Sequence, residues 1–222
     1  MRRVPIEGAL KNAGQIGKAR LQDIAVAALY NVDQTAVLHG GTAIWRCYAG
    51  NRFSDDLDIY LRSTKRIEAV RNGLAFSLSR VGAWIAGSSA IGNSTVIVVE
   101  AEGSRVKLEF GLPKGRIRPI AKNYERTDGT FTTVLTLSAE DFIVEKMDTY
   151  MSRRYMRDMY DIFHLAGMAE KSSGLRRKVC AFINSAQDPV NEDSLKAIVY
   201  SGAVPSYEDI VAEIKRVFCE SD

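Results

Sequence analysis

Histidine and cysteine are scarce in this chain, and long apolar runs and a strong excess of either charge are missing. The two histidines, His39 and His164, have no partner at metal-ligand spacing, which argues against zinc chemistry. Cys47, Cys180 and Cys219 are odd in number and lack metal-ligand spacing. They read as reduced thiols of a cytoplasmic protein, with no disulfide framework implied. No segment approaches the roughly 18 consecutive apolar residues of a membrane span. The basic N-terminus, Met1 to Arg3, is not followed by the apolar core of a secretory leader. Neither a G-x-S-x-G elbow nor a G-x-x-x-x-G-K-[ST] loop occurs, so serine hydrolase and P-loop readings have no support. Lys and Arg exceed Asp and Glu by three. Net charge alone therefore announces no nucleic-acid binder, and local clustering has to carry that question.

The sequence has globular proportions: 222 residues, 46% apolar and 26% charged, enough for one large domain or two small ones. The informative stretch runs from Val37 to Leu61. An apolar strand over 35–39 leads into His39-Gly40-Gly41-Thr42, where the glycines permit a tight turn or a close backbone approach. A turn that opens a helix presents free N–H groups to an anion. A second strand follows, with Asp56 and Asp58 alternating with Leu57 and Ile59, so the two carboxylates share a face opposite the buried aliphatics. Two anions about 6 Å apart repel by roughly 3 kcal/mol at an effective dielectric near 20, a cost that a divalent cation between them reverses. The pattern points to metal-dependent phosphoryl or nucleotidyl transfer.

Around that stretch, residues 5–32 read as a packing helix, and apolar residues at helical spacing from Ile67 to Val81 read as an amphipathic helix covering one sheet face. Two strands, 95–100 and 105–112, are joined at Ala101-Glu102-Gly103-Ser104 as a hairpin. In the second, Lys107 and Glu109 point away from Val106, Leu108 and Phe110. Glu109 is either a solvated residue or a third metal ligand. Lys114, Arg116, Arg118, Lys122 and Arg126 precede a strand over 130–137; they suit a blunted edge strand or a phosphate-tracking patch. From Ser138, which looks like the start of a capping box with Asp141, the sequence turns helical, with helices expected at 139–152, 155–169, 173–185, 191–201 and 206–219. The reading is thus two halves, an α/β domain over 1–137 and a helical domain over 138–222 packed against it, with a cleft between them as a natural site. Lys146 and Asp161 fall on successive helices joined by a short basic turn, within reach of each other either as a salt bridge or as phosphate-binding machinery. The methionines at 147, 151, 156, 159 and 168 read as core filler.

Taken in order, His39-Gly40-Gly41-Thr42, Arg52-Phe-Ser54-Asp-Asp56-Leu-Asp58, Lys107-Leu-Glu109-Phe, Glu145-Lys146 and Arg157-Asp158-Met-Tyr-Asp161-Ile resemble the AbiEii family over about residues 36–166. These are nucleotidyltransferase-like toxins of abortive-infection and type IV toxin-antitoxin systems, within the DNA polymerase β-like superfamily. The resemblance implies an α+β fold: a nucleotidyltransferase-like mixed sheet of five or six strands with flanking helices, followed by a C-terminal helical bundle. It implies transfer of a nucleotide from a nucleoside triphosphate, with Mg²⁺ or Mn²⁺, to the 3′ end of tRNA, and a cognate antitoxin as partner. By that resemblance Gly40, Gly41 and Thr42, with Arg52, Ser54 and Arg157, bind substrate, while Asp56 and Asp58, joined by Glu109, hold the metal. Lys146 contacts phosphates, and Asp161 orients Lys146 or assists deprotonation of the acceptor hydroxyl. The readings that remain beside it are nucleotidyl transfer to a small molecule or protein, and a catalytically silent domain that binds RNA or an antitoxin.

Overall fold

The structure is a computed structural model that describes residues 4–220; the basic Met1–Arg3 lie outside it. The chain divides into two compact units, Met1–Thr136 and Leu137–Asp222.

The first unit is built on a seven-stranded mixed sheet in the order β3-β4-β5-β2-β1-β7-β6. The strands are β1 (Val37–His39), β2 (Leu57–Tyr60), β3 (Trp84–Ile91), β4 (Ser94–Ala101), β5 (Ser104–Gly111), β6 (Ile120–Glu125) and β7 (Phe131–Thr136). The β1/β7 and β2/β5 pairs are parallel and the others antiparallel. Seven strands exceed the five or six expected. The addition missed altogether is β3, whose Gly-Ser-Ser-Ala centre has little of the β-branched and aromatic content that marks strands. The β4–β5 hairpin turns at Glu102 and Gly103, both at positive φ (48° and 74°), as a two-residue hairpin turn of matching twist requires.

Helices α1 (Ile6–Ala9), α2 (Ala13–Val32), α3 (Gly40–Cys47) and α4 (Ile67–Ser79) complete this unit. The 5–32 segment is two helices rather than one: α1 ends at Leu10, and Asn12 caps α2 by accepting the Gln15 N–H. α2 packs on β4 and β5, and α4 packs on α2 and β3. Buried Ile97, Val99, Val106, Leu108 and Phe110 form the sheet side of this core. α4 begins after a 3₁₀ turn over Thr64–Arg66 and stops at Ser79, so Val81 lies beyond the helix and is exposed. Buried Arg46 ties three elements together. It pairs with Asp23 on α2 at 3.2 Å, donates to the carbonyls of Ala19 (3.0 Å) and Glu125 (3.1 Å), and lies over the rings of Trp45 and Tyr124.

The second unit comprises α5 (Ala139–Arg153), α6 (Met156–Ala166), α7 (Ser173–Ser185), α8 (Ser194–Ile198) and α9 (Tyr207–Phe218). The Ser138 hydroxyl accepts the Asp141 N–H at 3.2 Å to start α5, and Ser206 with Asp209 forms a full capping box on α9. The helix expected at 191–201 shrinks to the five residues of α8. Of the five methionines read as filler, Met147, Met156 and Met159 are buried, whereas Met151 and Met168 are exposed.

The thiols depart from expectation. Cys180 on α7 and Cys219, just after α9, form a disulfide, with Cα atoms 5.6 Å apart. α7 packs on α9, which brings together two cysteines that lie 39 residues apart; their spacing in the sequence carries no sign of it. Cys47 remains a thiol, and burial pushes its pKa up to about 12.

No described helix is long and apolar enough to cross a membrane.

Candidate active site

The glycine turn and the acidic strand meet because β1 and β2 are adjacent and antiparallel, with His39 opposite Asp58. α3 starts at Gly40, one residue after β1 ends, and Gly40 has φ +69°. A Cβ on Gly40 would lie 1.9 Å from Asp58 Oδ2, so the Asp58 carboxylate rests directly on the backbone that opens α3. A Cβ on Gly41 would lie 2.6 Å from both Arg52 Nη2 and Ser54 Oγ. Gly41, Arg52 and Ser54 therefore form one surface, and both glycines are required by close approach. Thr42, fully buried, donates its hydroxyl to the Asp56 carbonyl at 2.5 Å and so fixes the residue before β2. Its hydroxyl is committed to that backbone.

Asp56 lies one residue before β2, whose ladder with β5 begins at Leu57 opposite Leu108. It lies at the surface, yet the protein atoms around its carboxyl withdraw enough hydration to raise its pKa. Lys107 opposes that shift, while Asp55 and Asp58 add to it. Asp58 is half-buried, opposite Glu109 in the parallel β2/β5 register. Lys107 and Glu109 are exposed on the same strand face, with Val106 and Leu108 buried on the other. Tyr60 stacks on His39, ring centroids 3.6 Å apart, beside Asp58. The face thus gathers acids on β2 and β5, one lysine, and a stacked aromatic pair at the mouth of the glycine turn.

Among the described residues, no three His, Cys, Asp or Glu side chains converge as a ready-made metal cage. The donors present are carboxylate oxygens. Such a set suits a hard cation like Mg²⁺, which keeps several waters and is held by one or two carboxylates together with substrate phosphates.

In the helical unit, Lys146 on α5 is 5% exposed, with its ammonium 2.9 Å from Asp161 and 3.4 Å from Asp158, both on α6. Arg153 donates to both oxygens of Asp158, at 2.7 and 2.8 Å. The expected proximity of Lys146 and Asp161 is present, and their link extends through buried Asp158 to the partly exposed Arg153. Nearby Arg157 is exposed, and its guanidinium lies over the Tyr155 ring, as does that of Arg153.

Residues 25–209 match the profile of the family described as nucleotidyl transferase AbiEii toxin, type IV TA system. The chain belongs to the AbiEii family. It is a nucleotidyltransferase. The crystal structure of JHP933 from Helicobacter pylori is similar to it with a TM-score of 0.63 at 17% identity, over 94% of this chain and 91% of that one. A second H. pylori structure, of a protein provisionally identified as a nucleotidyltransferase, has a TM-score of 0.57 at 19% identity over 94% of each chain. At these identities the two neighbours speak for the fold. No curated protein matches the sequence.

Two positioning residues of this AbiEii chain escape a reading by motif. Gln22, buried on α2, donates to the carbonyls of Ser54 (2.8 Å) and Asp55 (3.0 Å), and so clamps the segment before Asp56. Lys18, one turn earlier, pairs with Asp55. The only trace of either in the sequence is a glutamine within the apolar stripe of α2.

Proposed function

We propose that this AbiEii protein moves a nucleoside monophosphate from a nucleoside triphosphate to the 3′-hydroxyl of tRNA, and that it inhibits growth in the cytoplasm until a cognate antitoxin restrains it. The observation that carries the proposal is Asp58, set between His39 and Glu109 in register with its carboxylate against the Gly40 backbone. Asp56 and Asp58 would hold Mg²⁺, with Glu109 beside them, and the ion when bound supplies Lewis-acid stabilisation of charge on the phosphate oxygens.

The chain's own groups do the rest. Gly40 and Gly41 let the triphosphate approach the backbone at the start of α3, where N–H groups favour an anion. The buried Arg52 guanidinium and Ser54 Oγ flank that approach. Thr42 contributes by holding the Asp56 segment, since its hydroxyl is bonded to that carbonyl. The ring pair His39/Tyr60 limits water beside Asp58. For the acceptor strand, exposed Lys114, Arg116 and Arg118 of the first unit supply phosphate contacts. Within the second unit, exposed Arg157 lies over the Tyr155 ring and offers a cation and a stacking surface to substrate. We assign Lys146 and Asp161 to holding α5 against α6, because the Lys146 ammonium is buried between two carboxylates.

The test incubates the protein with each α-phosphate-labelled triphosphate, Mg²⁺ and bulk tRNA. Label should pass to tRNA with wild type and not with Asp58→Ala, the two sharing the same circular dichroism. Label arriving on protein or on a small molecule would replace the acceptor, and transfer undiminished in Asp58→Ala would remove the site.

A further inference from the structure

The two edges of the sheet are built differently. β6 carries Lys122 and Glu125 and follows Arg116, Arg118 and Pro119, the charge and proline that commonly keep an edge from pairing. At the other edge β3, Trp-Ile-Ala-Gly-Ser-Ser-Ala-Ile, has no charge and no proline in eight residues. It also ends in two large exposed apolar side chains, Trp84 at 49% and Ile91 at 63%. Phe76 on α4, the helix packed on β3, is 68% exposed.

The register of β3 makes it self-complementary. It bulges at Ala86, so its ladder positions against β4 are Trp84, Ile85, Gly87, Ser88, Ser89, Ala90 and Ile91, seven in all with Ser88 at the centre. Trp84 and Ile91 lie opposite Glu100 and Ser94, six residues apart on β4, and therefore share one sheet face despite their odd separation. Reversing the strand about Ser88 sets Trp84 opposite Ile91, Ile85 opposite Ala90 and Gly87 opposite Ser89, each pair on a common face. Both exposed apolar ends are then covered at once, small residues occupy the crossing point, and no like charges meet.

We propose that β3 is the homodimer interface of this protein: two copies pair antiparallel through this edge about a two-fold axis at Ser88, joining their sheets into one. A second copy brings its Ile91 to Trp84 and its Trp84 to Ile91 along an uncharged edge, so one isologous contact covers both exposed apolar ends.

The test measures mass by sedimentation equilibrium on the full chain across its soluble concentration range, with circular dichroism as the fold check. Wild type should approach twice the 24.6 kDa chain mass. Ser88→Asp sets two carboxylates across the axis, and the double variant Trp84→Glu/Ile91→Glu sets acid opposite acid at both ends; each should weaken dimerisation about tenfold or more. Trp84→Lys/Ile91→Glu sets opposite charges in those same pairs and should dimerise better than the all-acid variant. A wild-type chain that stays monomeric overturns the proposal, whatever other strand the edge then takes. A dimer indifferent to all three variants, or one that the charge swap fails to restore, overturns it as well.

Discussion

Adding a single methyl group at Gly40 should disable nucleotidyl transfer while leaving the fold standing. The new Cβ would lie 1.9 Å from Asp58 Oδ2, 2.7 Å from its Cγ and 3.0 Å from its Cβ. Non-bonded carbon and oxygen settle near 3.5 Å, so the carboxylate has to retreat by about 1.5 Å. That retreat takes it away from the start of α3. A misplacement of about 1 Å at a reacting centre lowers rate by about 100-fold, so kcat/KM for the triphosphate should fall by at least that much. The backbone contributes a separate and smaller effect: alanine at φ +69° is strained by about 1–2 kcal/mol, or roughly 2–8 °C in Tm for a chain this size. Gly129→Ala separates the two, because Gly129 has φ +82° but its methyl would meet only Pro5, at an ordinary 3.5 Å. That variant should lose similar stability and keep full activity. Labelled-triphosphate transfer and thermal unfolding, run on both variants, give the answer. A Gly40→Ala enzyme within about twofold of wild-type kcat/KM would refute the placement of Asp58 in the reaction.

Two other outcomes follow from buried groups. Lys146→Met removes the ammonium 2.9 Å from Asp161 and should lower unfolding stability by about 3–5 kcal/mol, read from urea midpoints; Lys146→Met/Asp161→Leu should recover most of it, and a loss below about 1 kcal/mol in the single variant would count against the buried network. Thiol titration without reductant should find no reactive thiol in the native protein near pH 8, because Cys180 and Cys219 are bonded and Cys47, with its pKa raised to about 12, stays protonated until far higher pH; unfolding should release one thiol, and unfolding with reductant three.

What could be read from the residues alone depended on whether the governing contact was local. The period-2 alternation in β5 and the positive-φ turn at Glu102-Gly103 are set by neighbouring residues, so the hairpin was legible. Ser138 and Ser206 announce α5 and α9 by capping chemistry that spans three residues. β3 was not legible, since its pairing comes from β4 while its own sequence is small and polar at the centre. Nor was the disulfide, which depends on α7 meeting α9. The site divides along the same line. His39 to Thr42 and Asp56 to Asp58 stand out as motifs, whereas Gln22, which clamps the segment before Asp56 from α2, reaches across 32 residues and leaves no motif.

That division explains how the scattered acids of this face are brought together. Asp58 gains its neighbours by register, with His39 on one side and Glu109 on the other, and a slip of one residue in β2 would turn it into the core and bring Leu57 or Ile59 out. The buried aliphatics that flank it, both within 1% of full burial, therefore hold its position as firmly as any hydrogen bond. Asp56 has no such pair in the ladder. It relies on the Thr42 hydroxyl at its carbonyl and on Gln22 at the two carbonyls before it. Loss of hydration raises the pKa of its carboxyl, and the nearby Asp55 and Asp58 add to that shift against the pull of Lys107. The fold supplies one carboxylate through the sheet and the other through side-chain clamps, and gathering them carries an electrostatic strain that a cation would relieve.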